Sequence, residues 1–256
     1  MRILITNDDG YESRGIGVLA AAVAAQGHDV VVCAPDRDQS GCGAGIGTWH
    51  ADEHIDVQDV VLPDAPDVRA IAVRGTPALA VFAANLGAFG PIPDAVVSGI
   101  NPGLNTGRAT LHSGTVGAAL TAANLGLKGL AVSQDFGDPM RWPTAAALAV
   151  EALAWLDEAD DRTVLNLNVP NTVPEEVKGF RWATLAPFGS VRAAIADSTD
   201  GRLQMEFRQV DDELPPDSDT ALVFAGFAAV SSLVGIRVGE PLAVAHDVGP
   251  PIRRSA

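Results

Sequence analysis

A chain of 256 residues, 47% of them apolar, carries enough hydrophobic surface for one large domain and is not expected to be disordered. It contains no run of about 18 apolar residues free of charge, which argues against a membrane span. Its formal charge of −15 repels nucleic acid, acidic lipid surfaces and phosphate esters alike, so a phosphate-ester site needs a positive group, for which a bound cation is the economical candidate with only 17 Lys and Arg; the same charge equally suits simple solubility.

The opening MRILITNDDG turns acidic too early for a signal peptide, and the expected location is cytoplasmic. Residues 2–6 (RILIT) form a short apolar run that ends in NDDG, the pattern of a buried strand followed by a loop. Residues 15–25 are Ala-rich and helical in character, and 29–34 (DVVVCA) read as a second strand, stopped by Pro35. Residues 69–73 read as a third strand, after which Gly75 and Pro77 introduce a helix to about Leu86. A strand over 94–98 precedes the loop GINPGLNTG, and Ser113 is placed to cap a helix running to about Leu125. A strand over 129–133, a helix over 143–157 and a strand over 163–167 complete the alternation. Strands alternating with helices predict an α/β fold with a mostly parallel sheet and helices on both faces.

Beyond about Gly179 the pattern changes to short segments and prolines, with no clear long helix. The expected division is therefore a catalytic core over 1–179 and a C-terminal extension over 180–256, built of hairpins and arms for oligomerisation. The stretch 211–219 (DDELPPDSD) reads as an exposed loop. Cys33 and Cys42 form no disulfide framework and read as small packed residues.

In open α/β sheets, ligands bind beyond the carboxyl ends of the strands. The polar residues gather there: Asp8 and Asp9 after the first strand, Asp36, Arg37, Asp38 and Ser40 after the second, and Ser98, Asn101 and Asn105 around the DAVVS strand. Two adjacent carboxylates repel each other, and a divalent cation relieves the repulsion. Oxygen donors suit Mg²⁺, Mn²⁺ or Ca²⁺, with Asn101 and Ser40 as further donors. A bound metal polarises a phosphoryl oxygen and activates water. The same Asp pair before Gly10 also suits a plain turn. Ser113, Gly114 and Thr115 open a helix whose small residues let an anion approach the backbone N–H groups, and they equally suit an ordinary cap. His28, His50, His54 and His246 show no metal-ligand spacing, and neither a P-loop nor a GxSxG elbow is present.

ILITNDDG (3–10), APDRDQSG (34–41), RGTP (74–77), VSGINPGLNTG (97–107) and HSGTVGAA (112–119), taken together and in this order, resemble the SurE family of survival-protein nucleotidases. NVPN (168–171) is a further match. The resemblance implies a Rossmann-like core and one divalent cation per subunit, Mg²⁺ or Mn²⁺, on Asp8, Asp9, Ser40 and Asn101. It implies hydrolysis of nucleoside 5′- or 3′-monophosphates, with Asn105, Ser113, Gly114 and Thr115 around the phosphate, and a homodimer or homotetramer. The chain departs from the family pattern at Leu79 and Ala80, where Asp-Cys is usual, and at His112, where Tyr is usual. These departures leave a phosphatase specialised for another phosphorylated metabolite as an alternative; a non-catalytic nucleotide- or metabolite-binding protein is a further reading of another class, against which the intact Asp8, Asp9, Ser40 and Asn101 argue.

Overall fold

A computed structural model describes residues 1–47, 54–188, 191–199, 202–209 and 213–237. His50 and His246 lie outside the described residues. The elements are β1 (Arg2–Thr6), α1 (Arg14–Ala24), β2 (Asp29–Pro35), β3 (Val57–Leu62), β4 (Ala65–Val73), α2 (Pro77–Asn85), β5 (Ala95–Pro102), a 3₁₀ turn (Gly107–His112) and α3 (Gly114–Asn124). They continue with β6 (Lys128–Gln134), α4 (Trp142–Glu158), β7 (Val164–Val169), β8 (Phe180–Trp182), β9 (Val191–Thr199), β10 (Arg202–Gln209), α5 (Asp219–Phe224) and β11 (Ala228–Leu233).

Nine strands form one sheet in the order β3-β4-β2-β1-β5-β6-β7-β11-β8. The six neighbours from β4 to β7 pair in parallel. The chain winds outward from β1 through β2 to β4, then from β5 through β6 to β7. The winding direction therefore reverses between β1 and β5, the place where such sheets open a ligand crevice.

Period-two alternation in buried strands sends neighbouring side chains to opposite faces. Ile3 and Ile5 join Ile16 and Leu19 of α1 and Ala149 and Leu153 of α4 on one face. Leu4 joins Ala80 and Val81 of α2 and Ala118 and Ala122 of α3 on the other. The result is three layers, helix–sheet–helix. Ile3, Leu4 and Ile5 are fully buried, and each contributes about 1.5–3 kcal/mol. The cap expected at Ser113 is in place, its hydroxyl accepting from the Val116 amide at 3.1 Å, and α2 is capped in the same way by Thr76, which accepts from the Leu79 amide at 3.1 Å. Leu79 and Ala80, where the family pattern has Asp-Cys, are buried on α2.

The C-terminal part does two things. β9 and β10 form a separate antiparallel pair, whereas β8 and β11 enter the main sheet, with β11 antiparallel to β7. Residues on both sides of position 179 therefore share one sheet. The stretch expected to be an exposed loop is corrected at its end: Ser218 and Asp219 are fully buried. Asp219 opens α5, and burial there comes from backbone donors contributed by distant segments. No helix among the described residues is long and apolar enough to cross a membrane.

Candidate functional site

The loop after β1 is stitched to the loop after β2. The Gln39 amide donates to the Asp8 carbonyl at 2.7 Å, and the Tyr11 amide to the Pro35 carbonyl at 3.0 Å. Gly10 sits at φ +94°, and a Cβ there would lie 3.2 Å from the Arg37 backbone, so this close approach requires glycine. Asp8 is 3% exposed. Its Oδ2 accepts from the Gly114 amide at 3.0 Å, and its Oδ1 accepts from Thr115 Oγ1 at 2.5 Å. Thr115 Oγ1 also lies 3.4 Å from Asn101 Oδ1. Asn101 donates through Nδ2 to the Gly103 carbonyl at 2.7 Å, which leaves its Oδ1 as an available acceptor. Asp8, Asn101, Gly114 and Thr115 thus meet at the crevice between β1 and β5.

Asp9 is different from its neighbour. Its Oδ2 is buried and has no hydrogen-bond partner. Burial, then the Asp8 charge, then the Asp38 charge push its carboxyl up to about 7 against a smaller opposing backbone hydrogen bond. Asp38 accepts from Ser40 through both the amide, at 2.8 Å, and the hydroxyl, at 2.6 Å. Those bonds hold the Asp38 carboxyl below its ordinary range. The Ser40 proton is thereby committed to Asp38, and its oxygen lone pairs remain.

Among the described residues no three of His, Cys, Asp and Glu gather as a metal site. The oxygen donors that could serve such an ion are instead the two carboxylates with Ser40 and Asn101. An orphaned buried carboxylate oxygen beside a second carboxylate is the environment a hard divalent cation satisfies, so the residues present fit such an ion.

The other expected residues separate into two groups. Gly114 and Thr115 direct their donors at Asp8, and the Ser113 hydroxyl caps α3. Asn105 is held over the ends of β6 and β7. Its amide donates to Asn168 Oδ1 at 2.9 Å, its carbonyl accepts from Asn166 and Asn168, and its Nδ2 donates to Ser133 Oγ at 2.8 Å. Among the described residues no hydrogen bond joins Asn105 to either aspartate.

Two features escape the sequence reading. A Cβ on Gly114 would come within 2.7 Å of both Asp8 and Cys42 Sγ, which puts the thiol against the site. Burial, reinforced by the Asp8 charge, pushes Cys42 up to about 11, so the group is a neutral packing thiol at physiological pH. Asn166 and Asn168, two apart in a fully buried strand, share one face, and polar residues at that spacing inside an apolar run signal a shared polar partner.

The family model described as "Survival protein SurE" matches residues 3–189. The chain belongs to the SurE family. A 5′-nucleotidase SurE of Stenotrophomonas maltophilia (strain R551-3) is 42% identical over 200 residues, which cover 77% of this chain and 74% of that protein. A 5′-nucleotidase SurE of Brucella canis is 35% identical over 244 residues, covering 91% and 92%. The crystal structure of the SurE protein from Aquifex aeolicus superimposes with a TM-score of 0.75 at 29% identity, covering 91% of this chain and 93% of that one. The Asp8–Asp9 turn, the Ser40 loop, Asn101, Asn105 and the start of α3 all lie inside the span matched by the SurE model. Asp219 lies beyond it.

Proposed function

We propose that this SurE-family chain is a divalent-cation-dependent phosphatase that hydrolyses nucleoside 5′- or 3′-monophosphates to nucleoside and phosphate. The observation that carries this reading is the unequal aspartate pair, with both oxygens of Asp8 engaged and one oxygen of Asp9 buried and open. The pair lies in a chain 42% and 35% identical to proteins named 5′-nucleotidase. One Mg²⁺ or Mn²⁺ per subunit, on Asp8, Asp9, Ser40 and Asn101, would supply Lewis-acid polarisation of a phosphoryl oxygen.

The protein's own groups do the rest. Gly114 and Thr115 lock Asp8 in one orientation. Asp9 is the remaining acceptor for the proton of the attacking water. The second N–H of Asn105 Nδ2 is a donor for the phosphoryl group, and the α3 N-terminus favours negative charge close by. The protein is read as cytoplasmic and as a homodimer or homotetramer; the β9–β10 pair, which stands apart from the main sheet, supports an exchanged arm in the 180–256 extension.

The test is phosphate release from nucleoside 5′- and 3′-monophosphates, sugar phosphates and p-nitrophenyl phosphate, with Mn²⁺ or Mg²⁺ and with EDTA. Release that favours nucleotides and stops with EDTA is expected. Release from the generic ester alone points to a specialised phosphatase. No release with either metal from folded protein overturns the enzymatic reading.

A further inference from the structure

A fully buried carboxylate is costly unless donors surround it, and Asp219 is fully buried. Its donors come from separate parts of the chain. Oδ1 accepts from the Ala186 amide at 3.0 Å and the Thr220 amide at 2.8 Å, with the Thr220 hydroxyl at 3.4 Å. Oδ2 accepts from the Gly107 amide at 2.8 Å. Serving the start of α5 needs only the bond to Thr220. The bond to Gly107 reaches across 112 residues to the loop that carries Asn105.

Gly107 is shaped for that bond. It adopts φ +60°, and a Cβ there would lie 2.0 Å from the Phe188 carbonyl oxygen and 2.9 Å from the Ala186 oxygen. Only glycine lets the loop lie against the 186–188 backbone and present its amide to Asp219. Two residues earlier, Asn105 is clamped by Asn166, Asn168 and Ser133. Immediately after Gly107 the 3₁₀ turn runs to His112 and into Ser113, Gly114 and Thr115. The His112 carbonyl accepts from the Gly43 amide at 3.2 Å, which ties the turn to the loop after Ser40.

We propose that Asp219 is a positioning residue for the phosphatase site: through Gly107 it sets the 105–115 segment that carries Asn105 and delivers the α3 start to Asp8. This rests on the phosphatase reading given above. The carboxylate touches neither aspartate and acts through the loop.

Asp219→Asn separates the two halves of the carboxylate. An amide has one oxygen and one NH₂. Its oxygen stays with the Ala186 and Thr220 amides, the side with more donors, and its NH₂ then faces the Gly107 N–H, donor against donor. The loop loses its tether while the start of α5 keeps its acceptor.

The experiment uses the full chain with Mn²⁺, and measures kcat and KM on the best phosphomonoester, Mn²⁺ affinity by calorimetry, and amide hydrogen exchange over 105–112. Asp219→Asn is expected to lower kcat about 10²-fold, with KM and Mn²⁺ affinity within about threefold and faster exchange at Gly107. Gly107→Ala, which breaks the same contact from the other end with Asp219 intact, is expected to give the same kcat-selective loss, and serves if Asp219→Asn fails to fold. A kcat within about twofold of the parent in either folded variant, despite faster exchange at 105–112, overturns the proposal. If the parent protein turns over no ester, the phosphatase reading fails by itself. Unchanged exchange across 105–112 in Asp219→Asn then separately overturns the tether.

Discussion

The crevice between β1 and β5 and the C-terminal run from Phe180 to Leu233 are assembled in contrasting ways. At the crevice, each functional group stands within a few residues of the strand or helix end that aims it: Asp8 and Asp9 after β1, Asn101 on the last turn of β5, Thr115 at the start of α3. The C-terminal run is anchored to the rest of the molecule through distant partners, with β11 against β7 and Asp219 against Gly107. In the first region, strand and helix ends place the functional groups and long-range hydrogen bonds orient them. In the second, position comes from tertiary contact. Damage should accordingly appear as lost rate in the first and, away from the Asp219–Gly107 tether, as lost stability in the second.

Asp9→Asn gives the largest effect expected. It removes the open carboxylate and should lower kcat by about 10²–10⁴-fold, read in steady-state assays with saturating Mn²⁺; an unaltered rate would detach the pair from catalysis. Next comes pH in the metal-free protein. Folded Asp9 keeps its proton up to about 7, against an ordinary value of 3.8. Between those values the folded chain binds more protons than the unfolded one. The Asp9 contribution is therefore full below about pH 4 and lost as pH rises through about 7. Chemical denaturation should find a loss on the order of 2–3 kcal/mol from this group between about pH 5 and 8. Saturating Mn²⁺ should reverse that trend, because the cation needs the ionised carboxylate; a flat profile without metal refutes the assignment to Asp9.

Gly114→Ala should cost about 10²-fold in kcat, because the new methyl meets Asp8 and Cys42 at 2.7 Å and displaces the acid. Val230→Ala carries the contrast to the other region. Val230 is 1% exposed in β11, so the cavity should destabilise the protein by about 1.5–3 kcal/mol in denaturant titration with kcat within about threefold. A selective rate loss there would blur the distinction. The smallest effect belongs to Cys42→Ala: a neutral packing thiol is dispensable, and kcat should stay within about threefold of the parent; abolition would make the thiol chemical.

The parallel core was legible because each of its strands is a short apolar run closed by a loop signal. β1, β2, β5, β6 and β7 fall within two residues of the reading at their starts. β3 was not, since Val57–Leu62 is mostly exposed and carries no buried-strand run. β11 was not, since it falls in the 180–256 extension where no individual strand was placed, and pairing with β7 leaves no local mark. At the site, Asp8, Asp9, Ser40 and Asn101 stood out as oxygen donors at strand ends. The use of Gly114 and Thr115 as donors to Asp8 did not, because a helix start looks alike whether it faces a ligand or a carboxylate. Asp219 was hidden by its setting: an acidic, Pro-containing stretch resembles a solvated loop until Gly107 and Ala186 fold onto it.

The order of strands in the sheet has a consequence for how the protein is made. β7 is buried along its whole length, yet the strand that covers its outer edge, β11, begins at residue 228, 59 positions after β7 ends at residue 169. At a synthesis rate of about 5–20 residues per second, a nascent chain holds that edge open for roughly 3–12 s. During that interval Val164–Val169 offers unpaired backbone N–H and C=O groups to any passing strand. The late closing strand should therefore make truncation before residue 228 more damaging to solubility than its distance from Asp8 suggests.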